Sequence, residues 1–351
     1  MTATAWIESL TPWPAEFGLD RMRELLRQLD EPQRRFPSIH VVGSVGKGTA
    51  VRTIEELLAA EGLEVGAYLS PHVTGWAERI RVGGREADFE AAVGRVRPAA
   101  ERLGATQFEA LTAAALVAFA DASVDVAVVE AGLGGRLDAT NVIDARVVLL
   151  TKVVREHTEV LGEMPEQIAA EKLAVAHAAS VVVLPDNEFV DLVPGPARIV
   201  LGGAREAAEA FVDRRIAHDV TVSLPGRLER RGDDVWDGAH TPEAVDWLLE
   251  RIGKGPYTLC VSILGDKDVD GILQRLASAG DTLVATRSSN TRALEPEELA
   301  RRARTYFRHV ETVDDPVLAL ARARAIDGPV LVTGSLYLLA DLHGVRTHAL
   351  R

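Results

Sequence analysis

Sulfur is scarce: the 351 residues hold one cysteine, Cys260, and three methionines. A lone thiol cannot close an internal disulfide, and Cys260 sits in the apolar run Thr258 to Leu264, which points to a buried strand. Basic charge is in deficit, with 39 Lys and Arg against 52 Asp and Glu, a net −13. That balance excludes nonspecific nucleic-acid binding through a global basic field, but not a local basic pocket for an anion. No hydrophobic run is long enough to span a bilayer; the longest weakly polar stretch, Ala110 to Ala120, reads as a buried helix. The N-terminus lacks a basic segment followed by an apolar one, so no secretory leader is expected. Internal repeats and low-complexity tracts are missing too. With 47% hydrophobic residues there is ample material for buried cores. The expectation is a soluble cytoplasmic α/β protein of two domains, or one large one, with no nucleic-acid or membrane partner.

The chain is organised around Val42-Gly43-Ser44-Val45-Gly46-Lys47-Gly48-Thr49. An apolar run, Ile39 to Val42, precedes it and a helix-like segment from Val51 follows. Strand, glycine loop and helix in that order make a phosphate cradle. Glycines let the backbone turn its N–H groups inward, and the helix start adds partial positive charge. Lys47 supplies a point charge and Thr49 a hydroxyl able to reach a metal. Gly48 stands between them, so the spacing differs from the usual G-x-x-x-x-G-K-[ST]. The alternative is a glycine turn before an ordinary helix.

Residues 1–17 read as irregular. Leu19, Met22, Leu25, Leu26 and Leu29 repeat at helical spacing. Strands are expected at Val65–Ser70, Arg79–Gly84, Val124–Val129, Val147–Thr151 and Val181–Leu184, and helices over 88–103, 107–122 and 165–179. Residues 186–226 are the least regular, with one helical segment near 204–217. After a boundary around Ser223-Leu224-Pro225-Gly226 the alternation restarts: strands at Thr258–Leu264, Thr282–Thr286 and Val330–Thr333, helices at Val269–Ala279, Pro296–Phe307 and Leu336–Leu342. Two blocks of alternation predict two parallel-sheet domains, 1–224 and 225–351. Ligands of such sheets sit at the carboxyl ends of the strands.

Ser70, Glu130 and His157 each fall at or just after an expected strand. One sheet edge would bring them near the glycine loop, where a carboxylate and a hydroxyl beside phosphates suit Mg²⁺. A histidine suggests a second metal position tolerant of nitrogen. Singly, Ser70 could cap a turn before Pro71, Glu130 could pair with Arg136, and His157 could cap a helix. The run Gly132-Leu133-Gly134-Gly135 is either a flexible connector or a place of close backbone approach to a ligand, with Asp138 and Asn141 at its end.

Together these residues resemble the folylpolyglutamate synthase/dihydrofolate synthase family of the Mur ligase group. The resemblance runs from Phe17-Gly18-Leu19 through Gly46-Lys47-Gly48-Thr49, Leu69-Ser70-Pro71-His72, Glu78-Arg79-Ile80-Arg81, Phe108-Glu109-Ala110-Leu111-Thr112, Glu130 to Asn141, His157-Thr158 and Glu171-Lys172. It continues through Pro225-Gly226-Arg227, Asp237-Gly238-Ala239-His240, Asp266-Lys267-Asp268 and Val332-Thr333-Gly334-Ser335. It implies a two-domain Mur-ligase-like fold: a P-loop parallel-sheet ATPase domain, then a smaller Rossmann-like α/β domain.

By the same resemblance, Gly43, Ser44, Gly46, Lys47, Gly48 and Thr49 hold ATP, with Arg227, Asp237 and His240 reaching across the cleft. Thr49, Ser70, Glu130 and His157 bind Mg²⁺, two ions in all, and Glu130 is shared. Lys47, Lys172 and His157 serve catalysis. Lys172 matches a lysine that the family carries as N6-carboxylysine; the ordinary alternative is a solvated lysine paired with Glu171. Phe108, Glu109, Asp138 and Ala139 line the pterin side. The implied reaction is ATP-dependent ligation of L-glutamate to a folate or dihydropteroate carboxylate through an acyl phosphate, by a monomer. A Mur-type amide ligase with another substrate, or a noncatalytic ATP-binding paralogue, are the alternatives. The pattern departs from the family at Val45 (usually Asn), Trp76-Ala77 (Phe-Asn), Glu156 (Asp), Leu173-Ala174 (Ala-Gly) and Thr241 (Asn).

Overall fold

Apolar β-branched runs build the centre of each sheet. The computed structural model describes residues 1–344 apart from 15, 254 and 327. The chain divides into two units: Met1–His72 with Trp76–Val222, and Val73–Gly75 with the chain from Ser223 onward.

In the first unit, β1 (Ser38–Val42), β2 (Val65–Tyr68), β3 (Ile80–Val82), β4 (Arg85–Glu86), β5 (Val126–Glu130), β6 (Val147–Leu150), β7 (Val181–Leu184) and β8 (Arg198–Leu201) form one sheet in the order β4-β3-β2-β5-β1-β6-β7-β8. Strands β2, β5, β1, β6, β7 and β8 run parallel. Every residue of β1, β5, β6 and β7 is buried, as expected of strands covered on both faces. Register pairs Val41 with Glu130 and Val42 with Leu150. The exits of β1, β2, β5 and β6 therefore lie along one edge.

In the second unit, β9 (Glu229–Arg231), β10 (Asp234–Trp236), β11 (Thr258–Val261), β12 (Thr282–Ala285), β13 (His309–Thr312) and β14 (Val330–Thr333) run in the order β13-β12-β11-β14-β10-β9. Part of its core gathers Val73, Trp236, Cys260, Val284, Val332, Leu338 and Leu339. Cys260 is fully buried on β11, and burial pushes its thiol up to about 12, so it packs as an inert apolar side chain. No described helix is long and apolar enough to cross a membrane.

The sheets are not wholly parallel: β3 and β4 add antiparallel to the first, and β9 to the second. Other expectations also need correction. Residues 1–17 are not all irregular, because Ala3–Ser9 is a helix capped by Thr2, with Trp6 and Ile7 buried. The region 186–226 contains β8, an edge strand whose largely exposed side chains hide the strand signal. Its helix ends at Val212, where Asp213 turns left-handed at φ 53°. The helical stretch from Pro165 gives way after Leu173 to a 3-10 segment, Ala174–Ala178. In the second unit, the β9–β10 hairpin, the helices Pro242–Ile252 and Pro316–Arg324, and β13 were not foreseen. Both helices start at a capping residue followed by proline, Thr241-Pro242 and Asp315-Pro316.

Candidate functional site

The glycine loop leaves β1 and ends in the helix Lys47–Ala60. Gly43 adopts φ 140°, and a Cβ there would lie 1.9 Å from Thr151 Oγ1, so no other residue fits. Gly46, at φ 91°, precedes the helix. The amides of Ser44 and Val45 donate to the carbonyl of Lys152 at 2.9 and 3.2 Å, which pins the loop to the exit of β6. Val45 thus serves through its backbone. Lys47 Nζ donates to the carbonyl of Gly43 at 3.0 Å.

Glu130 ends β5 and is 3% exposed. Its Oε2 accepts the amide of Ser70 at 3.0 Å and would stand 3.5 Å from a Cβ on Gly48. A carboxylate, the residue after β2 and the first turn of the loop helix therefore meet. Glu130 does not pair with Arg136, whose guanidinium bonds Glu171 Oε1 at 2.8 Å. Thr49 is exposed on the same turn. This oxygen set fits a hard divalent cation next to phosphates. Among the described residues no three His, Cys, Asp or Glu side chains converge, so such an ion would draw on hydroxyls and phosphate oxygens as well. His157 follows β6 in left-handed conformation at φ 46° and forms no side-chain cap to the helix Thr158–Leu161.

Lys172 is not solvated, and its partner is not Glu171. It is 2% exposed, and its Nζ donates to the carbonyl of Gly43 at 2.9 Å and to Glu156 Oε1 at 2.8 Å. Burial lowers its pKa while Glu156 pulls it back up. Burial also opposes ionisation of Glu156, but Lys172 and Lys47 outweigh that and hold the carboxyl below its usual range.

The glycine-rich run closes over a fixed frame. Asp138 Oδ2 accepts the amides of Gly132 at 3.0 Å and Leu133 at 2.8 Å. Its Oδ1 accepts the amide of Thr140 at 3.0 Å and the Thr140 hydroxyl. Since that hydroxyl donates to Asp138, His40 Nε2, 2.8 Å away, must donate to Thr140. A Cβ on Gly132 would meet Phe108 at 2.6 Å, and one on Gly135 would meet the Lys172 carbonyl at 2.6 Å. Phe108 also faces Tyr68, with ring centroids 6.0 Å apart. Glu109 is taken up by the Thr106 capping box and by Arg21, whose Nε lies 2.9 Å away. Ala139 is half-buried on the same loop.

A cavity of about 520 Å³ opens beside this loop, lined by Gly18, Leu19, Asp20, Arg23, Arg136, Leu137, Asn141 and His177. Asn141 Oδ1 is buried without a partner. Sequence reading missed Arg23, His177, His40 and Thr151, which belong to no short motif, and gave Thr140 no role of its own within the run Glu130 to Asn141. It noted Glu156 only as a departure, not as the partner of Lys172.

In the second unit, Asp237 follows β10. Its carboxylate accepts the amides of Leu228 at 2.8 Å and Ala239 at 2.9 Å. Burial raises its pKa, with Arg227 opposing. His240 Nδ1 lies 2.7 Å from the Gly238 carbonyl, and a Cβ on Gly238 would stand 3.1 Å from Arg227 Nη1. Arg227, which precedes β9, thus lies beside the turn that carries Asp237 and His240 after β10. Thr241 caps the next helix through the amide of Ala244 at 3.3 Å.

Residues 226–336 match the family model "Mur ligase, glutamate ligase domain". The dihydrofolate synthase/folylpolyglutamate synthase of Mycobacterium tuberculosis is 31% identical, over 84% of this chain and 80% of that protein. Escherichia coli FolC in complex with DHPP and ADP superposes with a TM-score of 0.87 at 27% identity, covering 98% of this chain and 97% of that one. A bifunctional folylpolyglutamate synthase/dihydrofolate synthase with Mn, AMPPNP and L-glutamate bound gives 0.84 at 26%, covering 98% of each chain. The two α/β units are those of the Mur-ligase-like fold, and the chain belongs to the folylpolyglutamate synthase/dihydrofolate synthase family.

Proposed function

We propose that this chain is an ATP-dependent ligase that joins L-glutamate to the carboxylate of dihydropteroate or a folate. The observation that carries the reading is the meeting of Glu130, Ser70 and the first turn of the glycine-loop helix. Relatives bound to nucleotide, manganese, DHPP and L-glutamate support it.

An acceptor carboxylate oxygen attacks the γ-phosphorus of ATP, and the bond to the β–γ bridging oxygen breaks, giving an acyl phosphate and ADP. The α-amine of glutamate attacks the acyl carbon, loses a proton and expels inorganic phosphate, leaving an amide. Two anions must approach, so their charge has to be neutralised. Lys47 and the amides of Gly46, Gly48 and Thr49 contribute, while Gly43 and Ser44 hold the turn of the loop. Divalent cations, two Mg²⁺ in our reading, supply further charge neutralisation when bound. Thr49, Ser70, Glu130 and His157 would hold them. We assign Arg227, Asp237 and His240 to nucleotide binding from the second domain, with domains over 1–224 and 225–351.

The cavity beside the glycine-rich run suits the acceptor. Arg23 and Arg136 give it cationic character beside Asp20, and Leu19 and Leu137 give it apolar wall. Phe108 and Ala139 extend this side, while Glu109 and Asp138 act by fixing the backbone around it. We further assign the chain to the cytoplasm as a monomer.

The test is phosphate release from ATP and Mg²⁺ with L-glutamate, comparing dihydropteroate, tetrahydrofolate and no acceptor. Release that depends on dihydropteroate assigns dihydrofolate synthase, and on tetrahydrofolate the polyglutamate activity. Tight ATP binding with no release in either case overturns the folate reading.

A further inference from the structure

His40 is a polar side chain at an apolar sheet centre. It sits on β1 with Val129 of β5 and Val148 of β6 as its neighbours across the sheet, and it is fully buried. Its Nε2 donates to Thr140 Oγ1 at 2.8 Å, while its Nδ1 is buried with no partner among the described residues. A bare buried nitrogen costs free energy that an apolar side chain would not. The Nε2 donor is therefore what a histidine brings to this position. Burial first pulls its pKa to about 3, so the ring is neutral near pH 7 and its one proton stands on Nε2.

That proton starts a one-way chain. Thr140 Oγ1 accepts from His40 and donates to Asp138 Oδ1, which also accepts the Thr140 amide at 3.0 Å. Asp138 Oδ2 is left for the amides of Gly132 at 3.0 Å and Leu133 at 2.8 Å, the first residues of the glycine-rich run. Gly132 lies so close to Phe108 that a Cβ would stand 2.6 Å from its ring. Phe108 in turn faces Tyr68, with centroids 6.0 Å apart. A hydroxyl turns to suit its partners, and a fixed donor behind it leaves only the direction toward Asp138.

We propose that His40 is a positioning residue for the acceptor: its Nε2–H orients the Thr140 hydroxyl, so that Asp138 holds the Gly132–Leu133 backbone against Phe108 and fixes the wall on which the acceptor's ring lies. This role rests on the ligase reading above. No atom of His40 touches substrate. Although β1 also leads into the phosphate loop, the amides of Ser44 and Val45 are held separately, by the Lys152 carbonyl. Loss of the donor therefore loosens the acceptor side and spares the nucleotide side.

The experiment uses the full-length protein and the variants His40→Leu and His40→Gln, since glutamine keeps an N–H donor at about the reach of Nε2. Circular dichroism checks that they are folded. The first readout is amide hydrogen exchange, which needs no substrate. The Gly132 and Leu133 amides are expected to exchange at least about tenfold faster in His40→Leu and within about threefold of wild type in His40→Gln, with Ser44 and Val45 unchanged in both. Unchanged Gly132 and Leu133 rates in the leucine variant, or a glutamine variant as loose as the leucine one, overturn the proposal. The second readout is kinetic. His40→Leu is expected to raise the acceptor KM at least about fivefold while Mg²⁺·ADP affinity and the KM for L-glutamate stay within about twofold. An equal loss on the nucleotide and acceptor sides marks a merely structural residue and overturns the proposal. If His40→Leu does not fold, Thr140→Val and Thr140→Ser decide by the same readouts: valine should behave as predicted for the leucine variant and serine as wild type, and no difference between them overturns the chain. Wild type that releases no phosphate with dihydropteroate or tetrahydrofolate sinks the ligase reading instead, and the exchange readout still decides whether His40 holds the run.

Discussion

Glu130 Oε2 accepts the backbone amide of Ser70 at 3.0 Å, tying the ends of two neighbouring parallel strands together at the mouth of the phosphate loop. A glutamine could keep that bond through its carbonyl oxygen but would bring no charge. Glu130→Gln is therefore expected to stay folded and lose at least about a hundredfold in ATP turnover, as expected for a group that holds a charge-neutralising cation at the transferring phosphate. Phosphate-release rates beside a thermal melt check this. Near-wild-type turnover in a folded variant would remove Glu130 from the metal site.

Gly43 cannot carry a side chain. Its φ is 140°, and a Cβ would strike Thr151 Oγ1 at 1.9 Å and the Thr151 amide nitrogen at 3.0 Å. Gly43→Ala should destabilise the fold by about 2 kcal/mol or more and weaken ADP binding. Thr151→Ala in the same chain should not restore it, since the amide contact remains. Urea denaturation and calorimetry provide the readout, and a fully restored double variant would show that the hydroxyl alone sets the constraint.

Two histidines make the first unit acid-sensitive. His40 is fully buried, and burial first and His177 second pull its pKa to about 3. His72 is driven well below its ordinary value by burial, then by Arg79. Arg79 Nε donates to His72 Nδ1 at 2.9 Å, which requires that nitrogen unprotonated. Below about pH 6.5 the unfolded chain binds protons that the native state refuses, so stability falls as pH falls. The slope is about 1.4 kcal/mol per pH unit for each histidine once the unfolded form is protonated, and for His40 it persists to about pH 3. Denaturation midpoints between pH 7 and 5 should decline, and His40→Gln should remove about half of the decline. An unchanged slope in that variant would refute the assignment.

Arg23 lines the cavity and reaches Asp20 only at 3.6 Å, with its side chain 63% exposed. Arg23→Ala is expected to raise the KM for the pterin-bearing acceptor about tenfold while leaving the KM for ATP and the melting temperature unchanged. A parallel rise in both KM values would place Arg23 outside the acceptor side.

The sequence made the first unit more legible than the second, for a physical reason. Strands β1, β5, β6 and β7 are buried on both faces and read as continuous apolar runs. Strands β8, β9 and β13 lie at sheet edges, where exposure mixes charged residues into the pattern, and β10, though buried, is only three residues long. At the site, the glycine loop, Ser70 and Glu130 announce themselves because backbone geometry restricts the residue choice around them. The Glu156–Lys172 pair and the chain from His40 through Thr140 to Asp138 join positions far apart in sequence, so no local spacing reveals them. Thr241, noted only as a departure from the family's asparagine, proves to be a helix cap.

Val73 belongs to the core of Trp236, Val332 and Leu338, though it lies in the chain long before them. A segment starting at Ser223 would be missing one of its own interior side chains, and its solvent-tight packing would open where Val73 belongs. The second unit is therefore not a transferable cassette. A single crossover that moved it to another protein would leave three of its residues behind in the donor. Inheritance of the two halves is bound together by that short excursion, and a working graft would need Val73–Gly75 supplied by its new host.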